Sequence, residues 1–146
     1  MTDSRVPQIA KDVRRLRSDI QDAVRTFPRF HRYGIGQDLR AQARRVHAVV
    51  VRYWHEPALR NRWSAQLVHE VDMLKEELQV AKEDAAFPRG FRQFDHLYRQ
   101  AAAIGRQAGG IRRSAKHSRG QNAQGRTVAQ RAQKLSTHAA SRGVNA

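Results

Sequence analysis

The sequence predicts an all-α fold, an antiparallel up-and-down four-helix bundle. Three observations predict it: four apolar stripes at helical spacing, short breaks bearing proline or glycine between them, and no sustained alternation of the kind a strand needs. The first stripe is Ile9, Val13, Leu16, Ile20, Val24 and Phe27, with steps of three and four residues. The second is Ile35, Leu39, Ala43, Val46, Val50 and Tyr53. The third is Leu59, Trp63, Leu67, Val71, Leu74, Leu78 and Ala81, and the fourth is Phe91, Phe94, Leu97, Ala101, Ile104, Ala108 and Ile111. Each puts one apolar face on an otherwise polar helix, so four such faces bury one another.

The breaks have their own chemistry. Pro28 and Gly34 bracket the first corner, Pro57 opens the third helix at a first-turn position, and "FPRG" at 87–90 separates the third from the fourth. Gly34 is expected to relieve the turn, and Gly36 to let another helix approach closely. Past about residue 114 the stripe fails, and large apolar groups are few. The expected organisation is a bundle over residues 1–116 and a basic, mostly disordered tail over 117–146, with at most a short helix around Val128–Ala140.

A chain of 146 residues suits one such domain. The longest apolar run, "AVVV" at 48–51, is far short of a membrane span, and the mean hydropathy is −0.77. The N-terminal segment lacks the apolar stretch of a secretory signal. Cysteine is absent, which removes disulfides and thiolate chemistry and fits a cytoplasmic protein.

Charge is the strongest functional signal. Lys and Arg number 28 against 13 Asp and Glu, for a net charge of +15 and a pI near 11.6. The last acid is Asp95, and 96–146 holds ten basic residues. Arginines outnumber lysines 23 to five, and the planar guanidinium suits phosphates and stacks on bases. A polyanion partner follows. The candidate nucleic-acid-binding residues fall in three groups. Arg29, Arg32, Arg40, Arg44 and Arg45 lie at the first corner and along the second helix. Arg52, Arg60 and Arg62 lie at the second corner, and Arg106, Arg112, Arg113 and Lys116 end the fourth helix. Trp54 and Trp63 flank the second corner: Trp63 belongs to the core stripe, while Trp54 suits either the core or a stacked base.

Enzyme signatures are weak. Gly34 and Gly36 lack the preceding strand and third glycine of a dinucleotide fingerprint, and no G-K-[ST] follows. "HEVDM" at 69–73 starts like a zinc-protease helix but has Met73 where the second histidine belongs. No cofactor or metal is expected. Glu70, Glu77 and Asp84, with Glu76 and Glu83, repeat at seven residues and make an acidic face on the third helix. A nuclease reading would rest on Glu70 or Asp72. The acidic face is better suited to meeting a neighbour's arginines, and such head-to-tail contacts close into a ring when the rotation permits.

Two longer stretches, "FPRFHRYGIGQDLRAQA" from 27 and "QFDHLYRQAAAIGRQAGGIRRSAK" at 93–116, resemble a known family. Phe27, Pro28, Arg32, Tyr33, Gly34 and Gly36 fill its first-corner pattern; Ile104, Gly105, Arg106, Gly109 and Gly110 fill its closing pattern. It is the accessory variability determinant of diversity-generating retroelements, which is also similar to four-helix proteins encoded in ribosomal-RNA intervening sequences. The resemblance covers about residues 8–118. It implies a non-enzymatic, pentameric barrel with a basic surface. Its implied partners are the element's reverse transcriptase, template RNA and cDNA, and its role the support of adenine-mutagenised cDNA synthesis and retrohoming. The chain departs from the family at Ile111, where an aromatic is common, and in its longer basic tail. The intervening-sequence relative and a generic RNA-binding assembly protein are the alternative readings.

Overall fold

In a computed structural model the backbone is described for residues 7–143 and the side chains for residues 7–117. The chain divides into two compact units, Met1–Arg112 and Arg113–Ala146. The described residues are all-helical: α1 (Gln8–Thr26), a single turn α2 (Arg29–Arg32), α3 (Ile35–His55), a 3₁₀ turn (Pro57–Leu59), α4 (Arg60–Glu83) and α5 (Phe91–Gly143).

In the first unit the four long helices pack as an up-and-down bundle, each antiparallel to the next. Arg17 of α1 meets His47 of α3, Gln42 of α3 meets Glu70 of α4, Lys82 of α4 lies over Phe94 of α5, and Gln100 of α5 returns to Asp19 of α1. The predicted stripes form the core: Leu16, Ile20, Val24, Leu39, Val46, Leu67, Leu74, Leu78, Leu97 and Ile104 are all buried. Leu59 and Phe91 depart from their stripes at 43% and 63% exposure. Both stand at helix starts, and of the facing helices' side chains Lys82 lies over the Phe91 ring at 5.6 Å.

Proline sets the first corner through its predecessor. Pro28 disfavours helical backbone at Phe27, which turns extended (φ −63°, ψ 146°) and ends α1 while its ring stays buried. Phe87 then packs edge-on against Phe27, with centroids 5.1 Å apart, and Phe94 follows at 6.1 Å, sealing that end of the core. Gly36 carries the close approach expected of it. A Cβ there would lie 2.6 Å from Val24 Cγ1 and 3.2 Å from the His31 carbonyl oxygen. Gly34 has negative φ, and a Cβ there would meet only the Phe30 carbonyl oxygen at 4.0 Å, an ordinary contact, so neither left-handed backbone nor crowding requires glycine there.

The end of α4 is a surprise of turn chemistry. Ala86 N–H bonds to the Ala81 carbonyl and Ala85 N–H to that of Lys82, the paired bonds of a Schellman cap. Its left-handed position, usually glycine, is Ala85 at φ 55°. Pro57 opens the 3₁₀ turn that leads into α4, and Gly90, at φ 69°, precedes α5.

The backbone of α5 runs on to Gly143, past the predicted bundle boundary at 116 and through most of a segment expected to lack regular structure. No proline follows Pro88, and Ala, Gln and Arg favour helix over much of the stretch. The side chains of the tail from 118 onward lie outside the described residues.

Candidate nucleic-acid interface

Among the described residues, a cluster of nearly unopposed positive charge lies between α1 and α3. On α1, Arg14, Arg17, Gln21 and Arg25 recur at three and four residues and share one flank; on α3, Arg40, Arg44 and His47 do the same. The helices bring these flanks together as two adjoining depressions. One is lined by Arg17, Gln21, Gln37, Arg40 and Arg44, the other by Arg14, Arg17, Ser18, Gln21, Asp22, Arg25 and His47. Asp22 is the only acid in either lining, and it pairs at 3.6 Å with Arg25, an exposed contact of small energetic value.

His47 reports the field of this groove. Its Nδ1 lies 2.9 Å from an Arg17 nitrogen. Guanidinium only donates, so Nδ1 accepts and the neutral imidazole carries its proton on Nε2. Burial, then the positive charges of Arg17 and Arg14, hold the imidazole pKa below its ordinary value. A phosphate entering the groove acts in the opposite direction.

Of the twelve arginines and lysines singled out in the sequence, the ten in the first unit do not share one surface. Arg40 and Arg44 line the groove, and Arg29 is exposed at the first corner. Arg32 is turned inward to the carbonyls of Arg25 and Phe27, where it caps the end of α1. Arg45 points the other way, to Gln42 Oε1 at 3.0 Å, and joins a polar cluster between α3 and α4. There the buried Gln42 donates to Glu70, which also accepts from Gln66 at 2.8 Å. At the second corner, Arg52 and Arg62 lie over the Trp63 ring at 5.0 and 5.2 Å, and Arg60 lies over Tyr53 and Trp54. Trp63 is buried, with its indole N–H on Glu56; Trp54 is half exposed. Arg112 donates to the Asn61 carbonyl and side chain and to Ser64, tying α5 to α4. Arg106 is exposed on the bundle part of α5, and Arg113 and Lys116 are exposed within the second unit.

Arg14, Arg17 and Arg25 were missed because in sequence they alternate with Asp12, Asp19 and Asp22 and look compensated. On the helix most of the charges separate: Asp12 and Asp19 turn toward α5 while the arginines turn toward α3, and only Asp22 stays beside Arg25. A helical projection of charge, rather than a running sum, finds them.

The acids of α4 are likewise divided. Glu76, Glu83 and Asp84 are exposed, whereas Glu70 is drawn into the Gln42 cluster. Glu77 is partly buried, and desolvation and Asp38 raise its pKa against the opposing effect of Arg45. Asp72 pairs with Lys75 at 3.1 Å. Among the described residues no three His, Asp or Glu side chains gather in a way that would hold a metal ion, and no helix is long and apolar enough to cross a membrane. No protein-family profile, curated protein or solved structure matches the chain.

Proposed function

We propose that this chain is a non-enzymatic nucleic-acid-binding protein that serves as an accessory subunit of a diversity-generating retroelement reverse transcriptase. The observation that carries the binding role is the α1–α3 groove, where Arg14, Arg17, Arg40 and Arg44 converge with a single aspartate at its margin. Such a surface neutralises a phosphate backbone and releases its counterions without reading bases. The retroelement role is supported by the first-corner and 93–116 motifs, and with it go the template RNA and cDNA as ligands and the polymerase as protein partner. Self-assembly into a ring, a pentamer by the same resemblance, is supported by the exposed acids of α4 and the arginines elsewhere on the bundle. Charge reversal at Glu77 and Asp84 should dissolve that oligomer.

The binding role is tested by titrating labelled RNA and DNA with the protein at rising salt. A footprint of about six phosphates loses on the order of a thousandfold in affinity between about 50 and 200 mM salt. A flat response removes the binding role. The retroelement role is tested at the locus and by co-purification. A reverse-transcriptase gene beside near-identical repeats that differ at adenines supports it, and a position inside a ribosomal-RNA gene transfers the chain to the intervening-sequence relatives.

A further inference from the structure

Both corners of the bundle carry aromatic rings beside arginines, but only one leaves its rings uncovered. At the second corner Tyr53, Trp54 and Trp63 each have a guanidinium over them. At the first corner, Phe30 and Tyr33 are 87% and 67% exposed, the most exposed large apolar side chains among the described residues. Among those residues no cation lies over either ring. The only aromatic neighbour is His31, edge-on to Phe30 at 5.3 Å. The two rings are three residues apart on the helical turn α2 and its cap, which places them on neighbouring positions of one face.

The surroundings of these rings are cationic. Between Asp22 and Asp38 the chain has no acid, while Arg25, Arg29 and Arg32 all belong to this corner. Arg32 is fixed by its bonds to main-chain carbonyls, whereas Arg29 is exposed and in no ion pair among the described residues. A second copy presenting the same corner would set arginine against arginine. A polyanion carrying flat apolar groups satisfies both the rings and the charge, and among such polymers only an unpaired strand offers its base faces. In a duplex those faces are already stacked on one another, and two rings on a convex corner cannot reach them without unstacking the helix.

We infer that the α2 corner is a stacking platform for single-stranded nucleic acid, with Phe30 and Tyr33 taking bases and Arg29 the adjoining phosphate. The inference rests on the nucleic-acid reading of the α1–α3 groove and deepens it. The groove is indifferent to strandedness, and the corner supplies a preference for unpaired strands.

The test is fluorescence anisotropy with a labelled oligo-uridine and a blunt duplex of equal length, using the full chain and its Phe30→Leu/Tyr33→Leu variant. Leucine at two exposed positions leaves the core intact, which a thermal melt checks. The expected result is tighter binding of the single strand by the parent chain. The variant should lose about tenfold or more on that strand, with the duplex affinity and the salt slope unchanged. Equal losses on both ligands, or no loss, overturn the platform while leaving the groove standing. A change in oligomeric state without a strand-specific loss also overturns it, and assigns the rings to self-association. If the parent chain binds neither ligand, the underlying nucleic-acid reading fails first. Photocrosslinking of a bromouridine strand to the parent chain reads the same point without a variant: adducts within 26–40 support the platform, and adducts confined to Trp54 or Trp63 refute it.

Discussion

Along α1, one flank faces α5 with Asp12, Asp19 and Thr26, and the other faces α3 with Arg14, Arg17 and Arg25. The α5 seam is laced by a polar ladder beside an open depression lined by Asp19, Asp22, Thr26, Arg92, Gln93 and His96. Gln107, Gln100 and Gln93 donate to Asp12, Asp19 and Thr26 at 2.7, 2.8 and 3.0 Å, two ladders of heptad spacing running in opposite directions. The α3 seam is held beneath by the Gly36–Val24 approach, but at its surface the arginines repel one another and find almost no acid. One helix thus carries a seam that satisfies its own polar groups and a seam that leaves charge over. The difference separates polar residues that specify the fold from those that remain available to a ligand.

The largest effect expected from breaking this contrast is on binding. Replacing Arg14, Arg17, Arg40 and Arg44 together by glutamine should weaken RNA affinity about a hundredfold or more at low salt and flatten the salt slope, with little change in melting temperature. Replacing Gln93, Gln100 and Gln107 together by alanine should do the reverse, leaving RNA affinity intact and lowering stability by about 1–3 kcal/mol in a denaturant titration. Gly36→Ala should cost about 1–3 kcal/mol, because the new methyl group meets a buried valine and a carbonyl oxygen. Gly34→Ala, whose new methyl would make only an ordinary contact with the Phe30 carbonyl oxygen, should stay within about 0.5 kcal/mol of the parent.

The smallest effects sharpen the contrast. The depressed pKa of His47 means that the folded chain binds fewer protons there than the unfolded chain. Stability should therefore be unaffected by this group at alkaline pH and decline as pH falls through the imidazole range, about 7 to 5. Phosphate in the groove favours the imidazolium, so RNA affinity should rise a few-fold over the same interval, and His47→Gln should remove that rise. Ala85→Gly should stabilise the chain by about 0.5–1 kcal/mol, relieving the left-handed alanine at the end of α4.

The bundle was legible because periodicity reports burial directly: Val13, Leu16, Ile20 and Val24 are predicted and buried as one set. The polar ladder was not, since its partners lie 67 to 95 residues apart and each is ordinary taken alone. Its trace in the sequence is the pair of heptad series 12, 19, 26 and 93, 100, 107. The Gln42 cluster left no periodic trace either, because one buried amide among apolar neighbours shows its role only through the facing helix. Of the candidate binding residues, Arg40 and Arg44 lie in the groove, while Arg32, Arg45 and Arg112 are engaged within the protein. Sequence proximity cannot tell a guanidinium that caps a helix from one that faces solvent.

The antiparallel ladder between α1 and α5 also has a meaning in time. The other neighbouring helices are joined by a corner and find one another with little loss of chain freedom, whereas α1 and α5 must wait for two intervening helices to come into place. Their meeting is expected to come late in folding, and a shift of one residue between them would move all three glutamines off their present acceptors. The ladder therefore acts as a check on arrival, withholding its bonds from any chain that closes out of step.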